Sequence, residues 1–249
     1  MEVAARQREF VRVAGPDAAD YLQRMVSNDV EALAPGEGCA ALLLTAKARV
    51  IAPLVVLRRA SDDFLLLTER GLGEIVRSQL TRMRLRAQCE IEQEKHESVL
   101  VFGADAGFAT DWPGAREALD AELEPTLSDD ELELRRIESA VPRWEREIDD
   151  RILPAEAGLD ETHVSFSKGC YPGQEPVARL HFRGHPNRGL RVIELDEQPE
   201  HDAPLLHDGR EVGRVTSAAR REDGSVVALA YVRTEVPDDA TLALAARAG

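Results

Sequence analysis

The sequence predicts an α+β fold over residues 1–186, followed by a small β-barrel over residues 187–249. In the first part, helix and strand patterns alternate without a regular strand–helix–strand rhythm, which favours α+β over a doubly wound sheet. After about residue 190 helix patterns are absent, and short apolar runs are separated by the turn dipeptides Asp208-Gly209 and Asp223-Gly224. The boundary between the two parts is predicted near 186–189, where a proline and a glycine interrupt the chain.

Each element is predicted from the spacing of its apolar residues. A first helix follows Gly15 and Pro16 and reaches about Met25, and a second covers residues 72–83. A third helix is predicted around residues 116–123. Strands of the first part are predicted at 10–13, 39–44, 50–57, 64–67, 85–91, 98–102 and 132–137. Strands of the barrel are predicted at 190–195, 205–206, 211–215 and 226–232.

Composition excludes several classes of protein. Hydrophobic residues make up 43% of the 249 residues, a typical value for a globular chain, and no apolar run approaches the roughly 20 residues of a membrane span. The first ten residues lack the basic and apolar segments of a secretory signal. The three cysteines, Cys39, Cys89 and Cys170, show no CxxC spacing, which excludes a disulfide framework and a cysteine-only metal cage. The sequence therefore predicts a cytoplasmic protein without a membrane partner or a metal of its own.

Charge is distributed unevenly along the chain. The net charge of −15 disfavours direct nucleic-acid binding, because neutralisation of phosphates supplies most of that affinity. Residues 120–150 contain twelve acidic residues and four arginines, a net charge of −8. Residues 168–191 contain one lysine, four arginines and one glutamate, a net charge of +4. This basic segment predicts a site for a small anion, and the alternative is a solvated face that pairs with the acidic segment.

The densest group of reactive side chains lies in residues 164–175. Two glycines and a proline between Gly169 and Gly173 predict a loop of defined backbone path. Cys170 lies two residues from Lys168, and a nearby cation lowers a thiol pKa from its usual value of about 8.5. We therefore predict that Cys170 is a functional thiol and Lys168 its activating cation; the alternative is a buried, inert cysteine. His181 and His185 do not predict a zinc pair, because Gly184 breaks the helix that would align them.

The same segment resembles a known family. Lys168-Gly-Cys-Tyr-Pro-Gly-Gln-Glu175, followed by Val177-Ala-Arg179 and Phe182-Arg183-Gly184, is similar to the signature of the YgfZ family. That family is the folate-binding branch of the superfamily that contains the glycine-cleavage T-protein, an aminomethyltransferase. Weaker similarities occur in the expected order along nearly the whole chain, at residues 13–29, 42–49, 136–142 and 153–156.

The resemblance implies a GcvT-like folate-binding α+β domain, a C-terminal β-barrel, and tetrahydrofolate or a derivative as cofactor. It also implies a role in maintaining iron–sulfur enzymes, including those that thiolate tRNA, so Fe–S enzymes or assembly factors are the expected protein partners. By similarity to the T-protein, Glu175 is expected to contact the pterin, since a carboxylate can accept two adjacent N–H donors. Gln174 and Tyr171 are expected beside it, and Arg179 and Arg183 can meet the anionic glutamyl tail.

Two other functions remain open at this point. An aminomethyl or one-carbon transferase needs a carboxylate near the reacting folate nitrogen, and only Glu69 and Glu74 stand in the matching stretch. A scaffold that binds proteins through its acidic 120–150 segment needs neither a thiol nor a pocket. The tryptophans that line the pocket of some family members are absent from their expected places, which Leu132 and the region of Arg8 occupy here.

Overall fold

The computed structural model describes residues 1–245. Its helices are α1 (Ala18–Met25), α2 (Gly73–Met83), α3 (Asp129–Glu138) and α4 (Gln174–Arg183), with a short 3-10 helix at Pro154–Ala157. Its strands are β1 (Glu2–Arg6), β2 (Arg8–Ala14), β3 (Gly38–Leu44), β4 (Val50–Ala60), β5 (Asp63–Glu69), β6 (Glu90–Glu94), β7 (Ser98–Phe102), β8 (Phe108–Ala109), β9 (Ala115–Leu119), β10 (Arg188–Leu195), β11 (Pro204–His207), β12 (Arg210–Arg220), β13 (Val226–Arg233) and β14 (Ala243–Leu244). The fold is the mixed helix-and-sheet fold that the sequence predicts.

The strands form three antiparallel sheets. The first has the order β3-β4-β5-β2-β6, the second β1-β7-β9-β8, and the third, at the C-terminus, β10-β13-β12-β11-β14. Only Gln7 separates β1 from β2, so the chain passes from the second sheet into the first without a loop. The residues around Gln7 therefore lie where two sheets meet.

Helices α1 and α2 cover one face of the first sheet. Their apolar sides pack on buried strand residues such as Val11, Leu54 and Leu66. The hydroxyl of Tyr21 in α1 donates a hydrogen bond of 2.6 Å to the carbonyl oxygen of Leu80 in α2, which fixes the two helices to each other.

Helix α3 joins the two parts of the chain. Its residue Ile137 is fully buried and packs against Val227 and Leu229 of β13. The guanidinium of Arg136 donates hydrogen bonds to the carboxylate of Glu147 at 2.9 Å and to the hydroxyl of Ser217 in β12 at 2.7 Å. The C-terminal sheet is therefore held against α3 by apolar packing and by the hydrogen bond from Arg136 to Ser217.

Three local predictions are wrong. The predicted helix at residues 116–123 is strand β9, whose residues pair with β7. The predicted strand at 132–137 lies in α3, which begins with a capping box between Ser128 and Glu131. Residues 85–89 do not form a strand, since β6 begins only at Glu90. Each of these segments contains too few apolar residues to distinguish a helix from a strand. The contacts that each segment makes in the folded chain determine which element forms. The domain boundary near residue 186 stays a prediction.

Candidate functional site

The signature segment 164–175 is anchored to the loop that follows α1. The ammonium of Lys168 donates hydrogen bonds to the carbonyl oxygens of Val26, at 2.7 Å, and Asn28, at 2.6 Å. The amide of Ser165 donates to the carbonyl oxygen of Ser27 at 3.0 Å. Gly173 has φ +85°, and a Cβ there would lie 2.6 Å from the carbonyl oxygen of Thr45. Only glycine allows this approach to the β3–β4 turn, so the loop path depends on it.

Cys170 is exposed, whereas Cys89 is buried and Cys39 is partly buried. Burial raises the pKa of the Cys39 thiol to about 12, although Lys168 opposes the shift. Burial also lowers the pKa of Lys168 to about 8, with Asp29 opposing it. The structure therefore places the Lys168 ammonium among backbone carbonyls and near Cys39. Its action on Cys170 stays a prediction.

The remaining residues of the signature divide between core and surface. The Tyr171 side chain is buried, its ring lies 5.4 Å from the Lys168 ammonium, and its hydroxyl has no hydrogen-bond partner among residues 1–245. Gln174 is half-buried, while Glu175, Arg179 and Arg183 on α4 are exposed. Within the described chain, no side chain forms a hydrogen bond or ion pair with Glu175. The predicted folate contacts therefore lie mainly on an exposed helix face.

A cavity of about 490 Å³ lies beside the junction of β1 and β2. Its apolar wall comes from Leu100, Trp112, Leu132 and Val141, and its charged residues include Glu69. Trp112 is 5% exposed, and its indole Nε1 donates to no atom of residues 1–245. A buried donor without a partner costs free energy, so a bound molecule that accepted a hydrogen bond from this N–H would remove that cost.

The charged wall of the cavity is held by a buried network. The carboxylate of Glu69 lies 3.2 Å from a terminal nitrogen of Arg8 and 3.5 Å from one of Arg6. The Arg8 side chain is fully buried and also pairs with Glu117 at 3.1 Å and Asp111 at 2.9 Å. Burial alone would raise the pKa of Glu117, but Arg8 and Arg6 outweigh it and hold that pKa below its usual range. Two arginines thus fix the orientation of Glu69.

Sequence reasoning located the signature but not this cavity. Leu132 and the region of Arg8, predicted to stand in the places of pocket tryptophans, do lie in or behind its wall, but Trp112 is not among the residues that the sequence predicts for the site. The available signal was the spacing of Arg6 and Arg8, two cations separated by a single residue. Of the two glutamates considered for a transferase, Glu69 lines the cavity, whereas Glu74 is exposed and pairs with Arg77.

The described residues contain neither a metal-binding cluster nor a helix suited to a membrane. Within residues 1–245, no group of three or more histidine, cysteine, aspartate or glutamate side chains could hold a metal ion. None of the helices in this range is both long and apolar enough to cross a bilayer.

Comparisons with known proteins identify the class. Residues 6–109 match the family model of the GCVT N-terminal domain, and residues 188–249 match that of the glycine cleavage T-protein C-terminal barrel domain. The fold resembles the crystal structure of the glycine cleavage system aminomethyltransferase T from Bartonella henselae with a TM-score of 0.76 and 18% identity, over 93% of this chain and 78% of that one.

Several proteins are similar to this chain in sequence over most of its length. The tRNA-modifying protein YgfZ of Edwardsiella ictaluri is 28% identical over 288 residues, 93% of this chain and 84% of the relative. The iron-sulfur cluster assembly factor IBA57 homologue, mitochondrial, of Pyricularia oryzae is 26% identical, over 96% of this chain and 73% of the relative. An uncharacterized protein of Haemophilus influenzae is 25% identical, over 87% and 83%. Because the two family models together cover residues 6–109 and 188–249, the chain belongs to the glycine-cleavage T-protein family, and its relatives include proteins named YgfZ.

Proposed function

We propose that this protein binds a reduced folate, tetrahydrofolate or a derivative, and supports the assembly or repair of iron–sulfur clusters, including those of tRNA-modifying enzymes. The names of its YgfZ and IBA57 relatives, a tRNA-modifying protein and an iron-sulfur cluster assembly factor, support the cluster and tRNA part of the proposal. The T-protein fold supports the folate part. A cytoplasmic location belongs to the same proposal.

The observation that carries the folate proposal is the cavity that contains Trp112 and Glu69. Its volume, about 490 Å³, lies within the range of roughly 300–1,000 Å³ for small-molecule pockets. A pterin is flat and largely apolar on its faces, which fits a wall of Trp112, Leu100 and Leu132. Its adjacent N–H and amino donors fit a carboxylate that is already fixed, and Glu69 is such a group. The residues present therefore fit a folate, with Arg143 at the cavity wall available to its anionic tail.

The earlier assignment of Glu175 as the pterin anchor stays a separate proposal, together with Tyr171, Gln174, Arg179 and Arg183. Glu175 does not line the cavity of Trp112, and its exposed position gives it little of the desolvation that strengthens a charged hydrogen bond. Of the two candidates, the geometry favours Glu69. Titration of tetrahydrofolate into variants of each glutamate distinguishes the two candidates.

We expect calorimetric titration with tetrahydrofolate to give saturable binding. Glu69→Gln, which removes a charged acceptor, should weaken that binding about tenfold to 150-fold, or about 1.5–3 kcal/mol. Trp112→Phe should weaken it less, because only the indole donor is lost. Glu74→Gln is the matched control, since Glu74 is exposed and pairs only with residues of its own helix.

Two outcomes would change the assignment. Equal affinity of the wild type and Glu69→Gln, with weakened binding in Glu175→Gln, would move the pterin to the α4 face. Absence of wild-type binding at about millimolar folate would reject the folate proposal and leave the acidic scaffold.

Cys170 supplies the chemistry that the cluster proposal needs. Its thiol is exposed on a loop, where a partner's iron or sulfur can reach it. An iron–sulfur cluster needs about four thiolate or comparable ligands, so Cys170 alone cannot retain one. A cluster would therefore be shared with a partner protein, which agrees with an accessory role.

A tetrahydrofolate-dependent aminomethyltransferase is the second candidate, since Glu69 places a carboxylate in the cavity. We expect no useful aminomethyl transfer, because the Glu69 carboxylate is already engaged in ion pairs with the guanidiniums of Arg6 and Arg8. The measurement is methylene-tetrahydrofolate formation from an aminomethyl-lipoyl carrier. Robust turnover that Glu69→Gln abolishes would establish the transferase instead.

A further inference from the structure

A second cavity, of about 810 Å³, lies in the C-terminal sheet and is lined by β10, β12 and β13. It begins directly after α4, where the basic segment 168–191 of the sequence ends. Three arginines line it, Arg188, Arg214 and Arg233, against two glutamates, Glu211 and Glu235. In a chain of net charge −15, a concave surface with an excess of cations is unusual.

Two of the arginines face each other across a strand pair. Arg188 of β10 is the direct partner of Arg233 of β13 in the antiparallel register. Like charges in this position destabilise a sheet. An anion between the two guanidiniums would remove that cost.

The ring of Tyr231 lies against two guanidiniums. Tyr231 is 1% exposed, and its hydroxyl donates to the carbonyl oxygen of Glu147 at 2.7 Å. The guanidinium carbons of Arg188 and Arg214 lie 4.9 Å and 5.5 Å from the ring centroid. Stacking of this kind holds arginine in one orientation, so less entropy is lost when it binds a ligand.

The guanidiniums keep most of their donors. Among residues 1–245, Arg188 uses only Nε, which donates to Glu156 at 3.0 Å, and Arg214 uses one terminal nitrogen, which donates to Asp202. Arg233 lies 3.6 Å from Glu235 and forms no hydrogen bond with any side chain in the described range. The remaining N–H groups are therefore available for bidentate contacts with the oxygens of an anion.

We propose that this cavity binds the phosphate group of a small molecule. Planar guanidinium forks match the spacing of phosphate oxygens, and the cavity volume fits a compact ligand. A nucleic acid is disfavoured, because the net charge of −15 repels a long polyanion while a single phosphate group meets mainly the local field. The proposal is independent of folate binding.

Inorganic pyrophosphate is the probe, titrated calorimetrically into the full chain at low ionic strength. We expect saturable binding that Arg233→Gln weakens about tenfold or more, since a charge-assisted contact is lost. The Arg233 side chain is 61% exposed, so the fold should survive this change. Glu235→Gln should strengthen binding, because it removes a competing carboxylate.

Arg220→Gln is the matched control, because Arg220 is an exposed arginine on the same sheet whose side chain, within the described part of the chain, bonds only to the carbonyl oxygen of Gly224. It should leave the affinity for pyrophosphate unchanged. Absence of saturable binding at about 10 mM pyrophosphate, or equal weakening by Arg220→Gln and Arg233→Gln, would overturn the proposal. A single-stranded oligonucleotide that binds more tightly than pyrophosphate through Arg233 would overturn the small-molecule assignment.

Discussion

Replacement of Arg8 by leucine is expected to lower the free energy of unfolding by about 3–5 kcal/mol, the usual cost of leaving buried charges without their partner. Arg8 is fully buried and holds Glu117, Asp111 and Glu69 within 3.2 Å. Because it begins β2 while Glu117 lies in β9, the ion pair also joins the first and second sheets. The measurement is urea unfolding of the wild type and the variant.

Arg24→Leu is the control for this prediction. Arg24 pairs with Asp20 on the surface of α1, where both side chains are more than half exposed, and surface pairs contribute about 0–1 kcal/mol. A loss for Arg8→Leu as small as that for Arg24→Leu would show that water or Arg6 replaces the missing charge. Adding Glu117→Leu to Arg8→Leu should recover part of the stability, because it removes one uncompensated carboxylate.

The same cluster predicts a loss of stability in acid. Burial would raise the pKa of Asp111, but Arg6 and Arg8 outweigh it and hold that pKa well below its usual range. Burial lowers the pKa of nearby His163 to about 4. The unfolded chain therefore binds more protons than the folded one, first at His163 below about pH 6.5 and then at the carboxylates. Stability contributed by this cluster is present at neutral pH and lost as the pH falls through these ranges.

The parts of the fold that the sequence predicts correctly are those with long, regular apolar patterns. The apolar run at 50–57 predicts a strand, and β4 confirms it. The helical spacing at 72–83 predicts a helix, and α2 confirms it. At 132–137, three apolar residues fit either a strand or a helix, and the capping box at Ser128 decides for a helix. The type of element is therefore ambiguous where the apolar pattern is short, and there the contacts of the folded chain determine it.

One part of the candidate site can also be predicted from the sequence, and the other part cannot. The signature at 164–175 is contiguous, so its residue types alone identify it. The cavity brings together Arg6, Glu69, Trp112 and Leu132 from four separate segments. Arg6 and Trp112 come together only because β1 pairs with β7 and β7 pairs with β9. No local sequence pattern predicts that strand pairing.

Cys170 is expected to react with iodoacetamide at least about 100-fold faster than Cys39 at neutral pH, because the reactive form is the accessible thiolate. The Cys170 thiol is exposed, whereas burial raises the pKa of Cys39 to about 12 and also raises the pKa of Cys89. Mass spectrometry of peptides after timed alkylation measures the three rates in one sample. Similar rates for Cys170 and Cys39 would show that the signature loop shields its thiol.

Two variants then connect this reactivity with function. Lys168→Met should slow alkylation of Cys170, because it removes the ammonium that favours the thiolate. An unchanged rate with a less stable fold would show that Lys168 has only a structural role, through its hydrogen bonds with Val26 and Asn28. Cys170→Ser should keep the fold and folate binding, since the side chain is exposed and similar in size, but should abolish support of iron–sulfur enzymes in cells. Cys39→Ser is the control for the loss of a thiol. Full cellular activity of Cys170→Ser would leave the signature as a structural loop and remove the thiol from the proposed function.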